Sequence, residues 1–260
     1  MTRSKLHPVE ELFRTMHQVE PYPDGVVAFP ARLPGTAFFP GGSGLWGTNA
    51  ETRLPEMPVD GIMVLGHDFD SEVAFAKSRA RGGEIPVASN DVFHSPGPTW
   101  STLRKVLSAA GISYDRCFFT NAYMGLRAGS ANTGHFPGAR DAGFVERCRA
   151  YFRRQFRAQR PRLVLTLGGW VPRFLAPLAA AVSDWSNARS FADIDRLGPV
   201  RHHVLFDQLV SDCSVVALTH PSLRGPNLGR RHFAGERGNS AEMLMIREAV
   251  AVSRVKTSQI

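Results

Sequence analysis

The sequence has no apolar run long enough to cross a bilayer. A membrane helix needs roughly 18 uninterrupted apolar residues, and even the stretch from Trp170 to Val182 is shorter and broken by Pro172, Arg173 and Pro177. A secretory leader is also lacking. Met1-Thr2-Arg3-Ser4-Lys5 runs directly into His7-Pro8-Val9-Glu10-Glu11 with no apolar core behind it, so an intracellular protein is expected. Cysteine is scarce: Cys117, Cys148 and Cys213 lie far apart and form no Cys-x-x-Cys pair. This argues against a disulfide framework, a zinc knuckle and a four-cysteine iron–sulfur cluster, and each thiol fits a core position. There is no internal repeat and no low-complexity tract. Acidic residues are outnumbered, 23 against 31 basic ones, which gives +8 before the nine histidines are counted, and nearly all the basic residues are arginine. Such a surplus attracts polyanions. It does not by itself identify nucleic acid, because arginine also serves simply to solvate a surface.

What is present is ordinary globular composition. At 43% apolar and 21% charged residues, the chain is neither wholly disordered nor collagen-like. Its 260 residues suit one full-sized domain better than two. Four short runs read as strands: 61–66, 117–121, 162–168 and 214–219. Each is nearly continuous in apolar residues, the mark of a strand covered on both faces. Helices are expected between them. Pro98 opens one, with Trp100, Leu103, Leu107 and Ala110 on one face and Gly111 as its stop. Asp141 to Arg160 forms a second, placing Phe144, Cys148, Tyr151, Phe152 and Phe156 on one side. Arg147, Arg153, Arg154, Arg157 and Arg160 fall outside that stripe, as a solvated face or a DNA contact. Residues 170–182 and 239–253 read as two more. The alternation predicts an α/β fold: a three-layer α/β/α sandwich around a central four-stranded, mainly parallel sheet. Residues 1–260 are expected to form a single domain, with 1–58 as a short helix and a Pro- and Gly-rich loop packed on it. No apolar stripe beyond those the core requires is evident, so a monomer is expected.

Ligands of open parallel sheets bind outside the carboxyl ends of the strands. The residues there are Gly66-His67-Asp68-Phe69-Asp70-Ser71 after the first strand, Asn121 at the end of the second, Gly168-Gly169-Trp170 after the third and His220-Pro221-Ser222 after the fourth. Each has a structural explanation when taken alone. Asp68 or Asp70 could cap a helix starting near Ser71, Asn121 could hold a turn, and His220 could be a satisfied histidine before a proline. Together they bring a carboxylate, an amide and an imidazole to one edge.

In this set the chain resembles the uracil-DNA glycosylase superfamily. Gly66-His67-Asp68 is similar to the Gly-Gln-Asp-Pro-Tyr motif that follows the first strand of the uracil-excising members. Thr120-Asn121 resembles the strand end that carries their base-reading asparagine, and His220-Pro221-Ser222 their His-Pro-Ser motif. Residues 92–112 and Arg160-Pro161-Arg162-Leu163-Val164-Leu165-Thr166-Leu167-Gly168 are also similar to stretches of the superfamily, and the resemblance covers roughly residues 59–252. There are departures. Phe69 and Asp70 stand where that motif has its proline and its thymine-excluding tyrosine, which opens the choice of damaged base. Leu223-Arg224-Gly225-Pro226-Asn227 replaces the proline and leucine wedge that follow His-Pro-Ser. Cluster cysteines are absent, so no cofactor is implied.

The resemblance implies a DNA repair glycosylase that flips a damaged base from DNA and hydrolyses its N-glycosidic bond. Asp68 would supply negative charge beneath a cationic sugar and position the attacking water, while His220 would donate to the departing base. Phe93 and Asn121 are candidates for the platform and edge reader of the base, with His67, Phe69, Asp70 and Ser222 lining the pocket. Arg224, Arg230, Arg231 and His232 could hold phosphates, with Leu223 or Arg224 filling the gap in the stack. The partner would be damaged DNA, single- or double-stranded. Two other readings compete. His67, Asp68, Asp70 and His220 could surround a divalent ion in a phosphoesterase, or the same fold could bind lesions without cutting them. The role of the Gly-rich segment 124–143 is open, although its length suggests a functional loop.

Overall fold

The computed structural model describes residues 8–29, 38–40, 57–80 and 98–254. Along the chain these form α1 (Pro8–Thr15), β1 (Val26–Val27), β2 (Ile62–Gly66), α2 (Glu72–Ala80), α3 (Pro98–Ala109), β3 (Cys117–Asn121), β4 (Leu126–Arg127) and α4 (Ala142–Gln159). There follow β5 (Leu163–Leu167), α5 (Trp170–Leu175), α6 (Phe191–Leu197), β6 (Val200–Val204), β7 (Cys213–Leu218), α7 (Arg224–Leu228), β8 (His232–Phe233), β9 (Glu236–Arg237) and α8 (Gly238–Ser253).

The central sheet has the order β3-β2-β5-β7-β6. Its first four strands are parallel and are the four apolar runs read from the sequence. Side chains alternate between its faces, and this alternation builds the layers. Met63, Leu65, Phe118, Val164 and Val215 join a core shared with Val9 and Leu12 of α1, Phe144 and Phe152 of α4, and Phe174 of α5. Ile62, Val64, Phe119, Leu165 and Val216 join the opposite core with Leu103 and Leu107 of α3 and Met245 and Ile246 of α8. The three-layer sandwich follows directly.

Two expectations are corrected. The sheet has five strands rather than four, because β6 runs antiparallel along the edge of β7. Its sequence, Val-Arg-His-His-Val, is mostly polar and only Val204 is fully buried, so it carries none of the signal of a two-sided strand. The helix expected over 170–182 stops at Leu175 and continues as 3-10 turns over Ala176–Leu178 and Ala180–Asn187. Pro177 lacks the amide needed to extend it and its ring crowds the preceding turn.

The helix α4 is closed at both ends. The Asp141 side chain accepts from the Phe144 amide at 2.6 Å, and Arg160 turns the chain out with φ 50° just before Pro161. Its arginines tie down neighbouring segments. Arg147 donates to the carbonyls of Val19 and Pro21, Arg157 pairs with Asp207 at 2.7 Å, and Arg160 with Asp60 at 3.1 Å. The Tyr151 hydroxyl donates to the Leu12 carbonyl at 2.6 Å and fastens α1 to the same helix. All three cysteines are buried and none is in a disulfide, and burial pushes all three thiols up, Cys148 to about 12. No helix among the described residues is long and apolar enough to cross a membrane.

Candidate active site

The site lies where the parallel strands end. Gly66 and Asn121 are paired across β2 and β3, and the amides of Ala122 and Tyr123 donate to the carbonyls of Gly66 and His67. This locks the two loops together. Only glycine fits at position 66: a Cβ there would stand 2.0 Å from Asn121 Oδ1. Asn121 is 5% exposed, and its amide makes no hydrogen bond among the described residues. At the end of β5, Gly168 has φ +95°, and a Cβ there would meet His220 Cβ at 3.4 Å. The histidine therefore packs over the β5 end from its place after β7.

Asp68 is held by four donors. Arg127 reaches Oδ1 through Nε (3.3 Å) and Oδ2 through Nη2 (2.7 Å), the Asp70 amide donates to Oδ1 at 3.0 Å, and His67 Nδ1 lies 2.8 Å from Oδ2. Burial alone would raise the Asp68 carboxyl. The hydrogen bonds from His67 and Arg127, with their charges, outweigh it and hold the group down at about 2.

Arg127 is the residue that sequence reasoning missed. It sits on β4, which pairs antiparallel with β1, and is 3% exposed. Beyond Asp68, its guanidinium donates to the carbonyls of Thr133, His135 and Gly134 at 3.1, 3.1 and 2.9 Å. Arginine has five N–H donors, and all five are used. Within the Gly-rich segment 124–143, residues 133–135 therefore wrap one buried cation. Nothing local marks Arg127 in the sequence, since its carboxylate partner is 59 positions away.

The His67 ring stacks on Trp170 at 6.3 Å and meets Tyr123 edge-on at 5.3 Å. Trp170, 38% exposed, also contacts His135 and lies beneath the Arg173 guanidinium, each at 4.3 Å. His220 Nδ1 accepts from the Ser222 amide at 3.3 Å and lies 2.8 Å from its hydroxyl. An imidazole nitrogen that accepts a backbone N–H carries no proton, so the ring proton sits on Nε2. Burial lowers the His220 pKa; Asp68 opposes the shift, and His67 adds to it. The imidazole is thus neutral near pH 7.

Several expected roles change. Phe69 packs edge-on against Phe29 at 4.4 Å and is a core contact. Asp70 has φ 78° and its carboxylate accepts from the Ser71 amide at 2.6 Å, while Ser71 itself caps α2 through the Ala74 amide. Burial raises the Asp70 pKa. Ser222 orients His220. Arg231 cannot hold a phosphate: it is fully buried, pairs with Asp195 and Glu242, and lies over the Phe191 ring. Arg224 is half-buried, bonded to Glu242 and to Asn239, which removes it as a wedge. Leu223 is 51% exposed, and Arg230 and His232 are also exposed. Phe93 lies outside the described residues. Among the described residues, no group of three or more His, Cys, Asp or Glu side chains could hold a metal ion, and the four acceptor positions on Asp68 are already taken.

Fold and site together define an α/β protein whose ligand chemistry is gathered beyond the carboxyl ends of a parallel sheet. The family model of the Uracil DNA glycosylase superfamily matches residues 77–238, more than half of the chain, and the protein belongs to that superfamily. Its members are typically DNA glycosylases of base excision repair, so DNA is the implied substrate. The matched stretch contains Asn121, Arg127, Gly168 and His220 but begins after Asp68. No curated protein matches the chain.

Proposed function

We propose that the protein is a DNA glycosylase that flips uracil, or a related deaminated or adducted base, out of DNA and hydrolyses its glycosidic bond to leave an abasic site. One observation carries this reading. An ionised carboxylate, Asp68, and a neutral imidazole with its proton on Nε2, His220, flank the same sheet edge. Cleavage of a nucleoside separates charge into a cationic sugar and an anionic base. The pair offers negative charge to the first and a hydrogen-bond donor to the second.

Asn121 reads the base edge. Its amide donates and accepts at once, which matches the adjacent N–H and carbonyl of uracil. Flipping costs a few kcal/mol of stacking and pairing, and the exposed Leu223 beside His220 fills the gap left in the stack. Arg230 supplies a phosphate contact. The metal-dependent phosphoesterase reading loses its ligand set, because a cation would have to displace Arg127 from Asp68.

The test is base release from an end-labelled oligonucleotide carrying one uracil, with alkali to break the abasic site. Chelator-resistant release that His220→Ala reduces at least about 100-fold is expected. If hypoxanthine and ethenocytosine oligonucleotides also stay intact, tight binding without release would identify a lesion-binding module instead.

A further inference from the structure

We infer that His67, rather than Asp68, is the base that activates the attacking water, with Asp68 acting through it as a positioning residue. The inference rests on the glycosylase reading above and names a further residue in its chemistry. A carboxylate has about four lone-pair positions, and the four donors on Asp68 fill them: two from Arg127, one from the Asp70 amide and one from His67. A carboxylate clamped in this way by a guanidinium has no free position from which to take a proton from water.

His67 has one. Its Nδ1–H donates to Asp68 Oδ2 at 2.8 Å, so in the neutral ring Nε2 is the acceptor. Among the described residues Nε2 has no hydrogen-bond partner. Trp170 and Tyr123 flank the ring, and the Tyr123 amide ties down the His67 carbonyl at 3.1 Å. His67 follows the last residue of β2, opposite Asn121, and β5 separates this strand end from the one that carries His220. A carboxylate that orients an imidazole by its Nδ1–H and leaves Nε2 toward the substrate is a recurrent arrangement for general bases.

The proposed step balances. The C1′–N bond breaks and its electron pair leaves with the base, whose carbonyl oxygen accepts from His220 Nε2–H. The water oxygen bonds to C1′ and its proton passes to His67 Nε2. His67 then returns that proton to solvent, and the free base takes one from solvent.

The test uses the full chain and single-turnover release from the uracil oligonucleotide, with affinity for the same oligonucleotide measured by anisotropy. His67→Asn keeps an amide that can donate to Asp68, so the loop stays closed, but has no group at the Nε2 position. It should release base at least about 100-fold more slowly, with affinity within about threefold of the unaltered protein. His67→Ala should be equally slow and should regain activity when imidazole is added, which a purely structural loss would not do. Asp68→Asn should slow single-turnover release with affinity unchanged. Release by His67→Asn within about threefold of the unaltered protein, or no response of His67→Ala to imidazole, would overturn the assignment. Failure of the glycosylase reading is separately visible, as absence of release by the unaltered protein on every damaged base, and it removes this step as well.

Discussion

Arg127 and Arg231 each lie in the interior beneath one of the two loops that carry the site, yet they are used differently. Arg127 meets one carboxylate and three carbonyls, and that carboxylate, 8% exposed, lies two residues past the end of β2. Its charge is spent on fixing Asp68 and, through it, His67. Arg231 meets Asp195 and Glu242, and Glu242 also binds the Thr219 amide and Arg224. None of those contacts involves the substrate side; they hold the backbone just before His220. The difference teaches that a basic composition is not a measure of DNA affinity. In the loop after β7, two of the three arginines are internal struts.

The sharpest way to break the comparison is to remove one strut. Glu242→Ala leaves Arg231 buried with half its anionic partners gone and should cost about 3–5 kcal/mol of stability, read from urea unfolding. A loss below about 1 kcal/mol would show that the β7 loop does not depend on this pair. The Arg127 side is probed by pH. The folded Asp68 value of about 2 lies below its ordinary 3.8, so the unfolded chain binds that proton more readily. The contribution, about 2 kcal/mol, is complete above 3.8 and disappears as pH falls toward 2. Stability of Asp68→Asn should accordingly fall less steeply across that window than that of the unaltered protein, and parallel curves would contradict the clamp.

Smaller effects separate the loops by function. Leu223→Ala should slow release from duplex DNA about tenfold while leaving single strands nearly unaffected, since only a duplex has a stack to refill. Equal losses on both would remove Leu223 as a wedge. Ser222→Ala keeps the backbone N–H on His220 Nδ1 and deletes only the hydroxyl, so a loss of about threefold in kcat is expected. A loss as large as that of His220→Ala would mean the hydroxyl, rather than the amide, fixes the tautomer.

Much of the scaffold was legible in the sequence. β2, β3, β5 and β7 are buried on both faces, and burial on both faces leaves an unbroken apolar run. β6 was invisible for the opposite reason: it is an edge strand with a register shift between Arg201 and Val204, and His203 sits at φ 55° within it. α6 does carry a local signal, because Ser190 and Asp193 form the capping pattern at its start. At the site, Gly66, His67, Asp68, Asn121 and His220 could be read because strand ends are where ligands of such sheets bind. Arg127 and the burial of Arg231 could not. Whether an arginine faces water or a carboxylate is decided by residues dozens of positions away, and periodicity carries no trace of them.

The three buried thiols have a practical consequence. Cys117 and Cys213 are the first residues of β3 and β7, at the end of the sheet remote from His67 and His220, and Cys148 lies within α4. None can react with an alkylating reagent until the segment around it opens. Timed trapping of each thiol, resolved by peptide mass, would therefore clock the opening of an outer strand, an inner strand and a covering helix separately. The protein carries its own three-channel reporter of breathing, installed where reading it leaves the chemistry untouched.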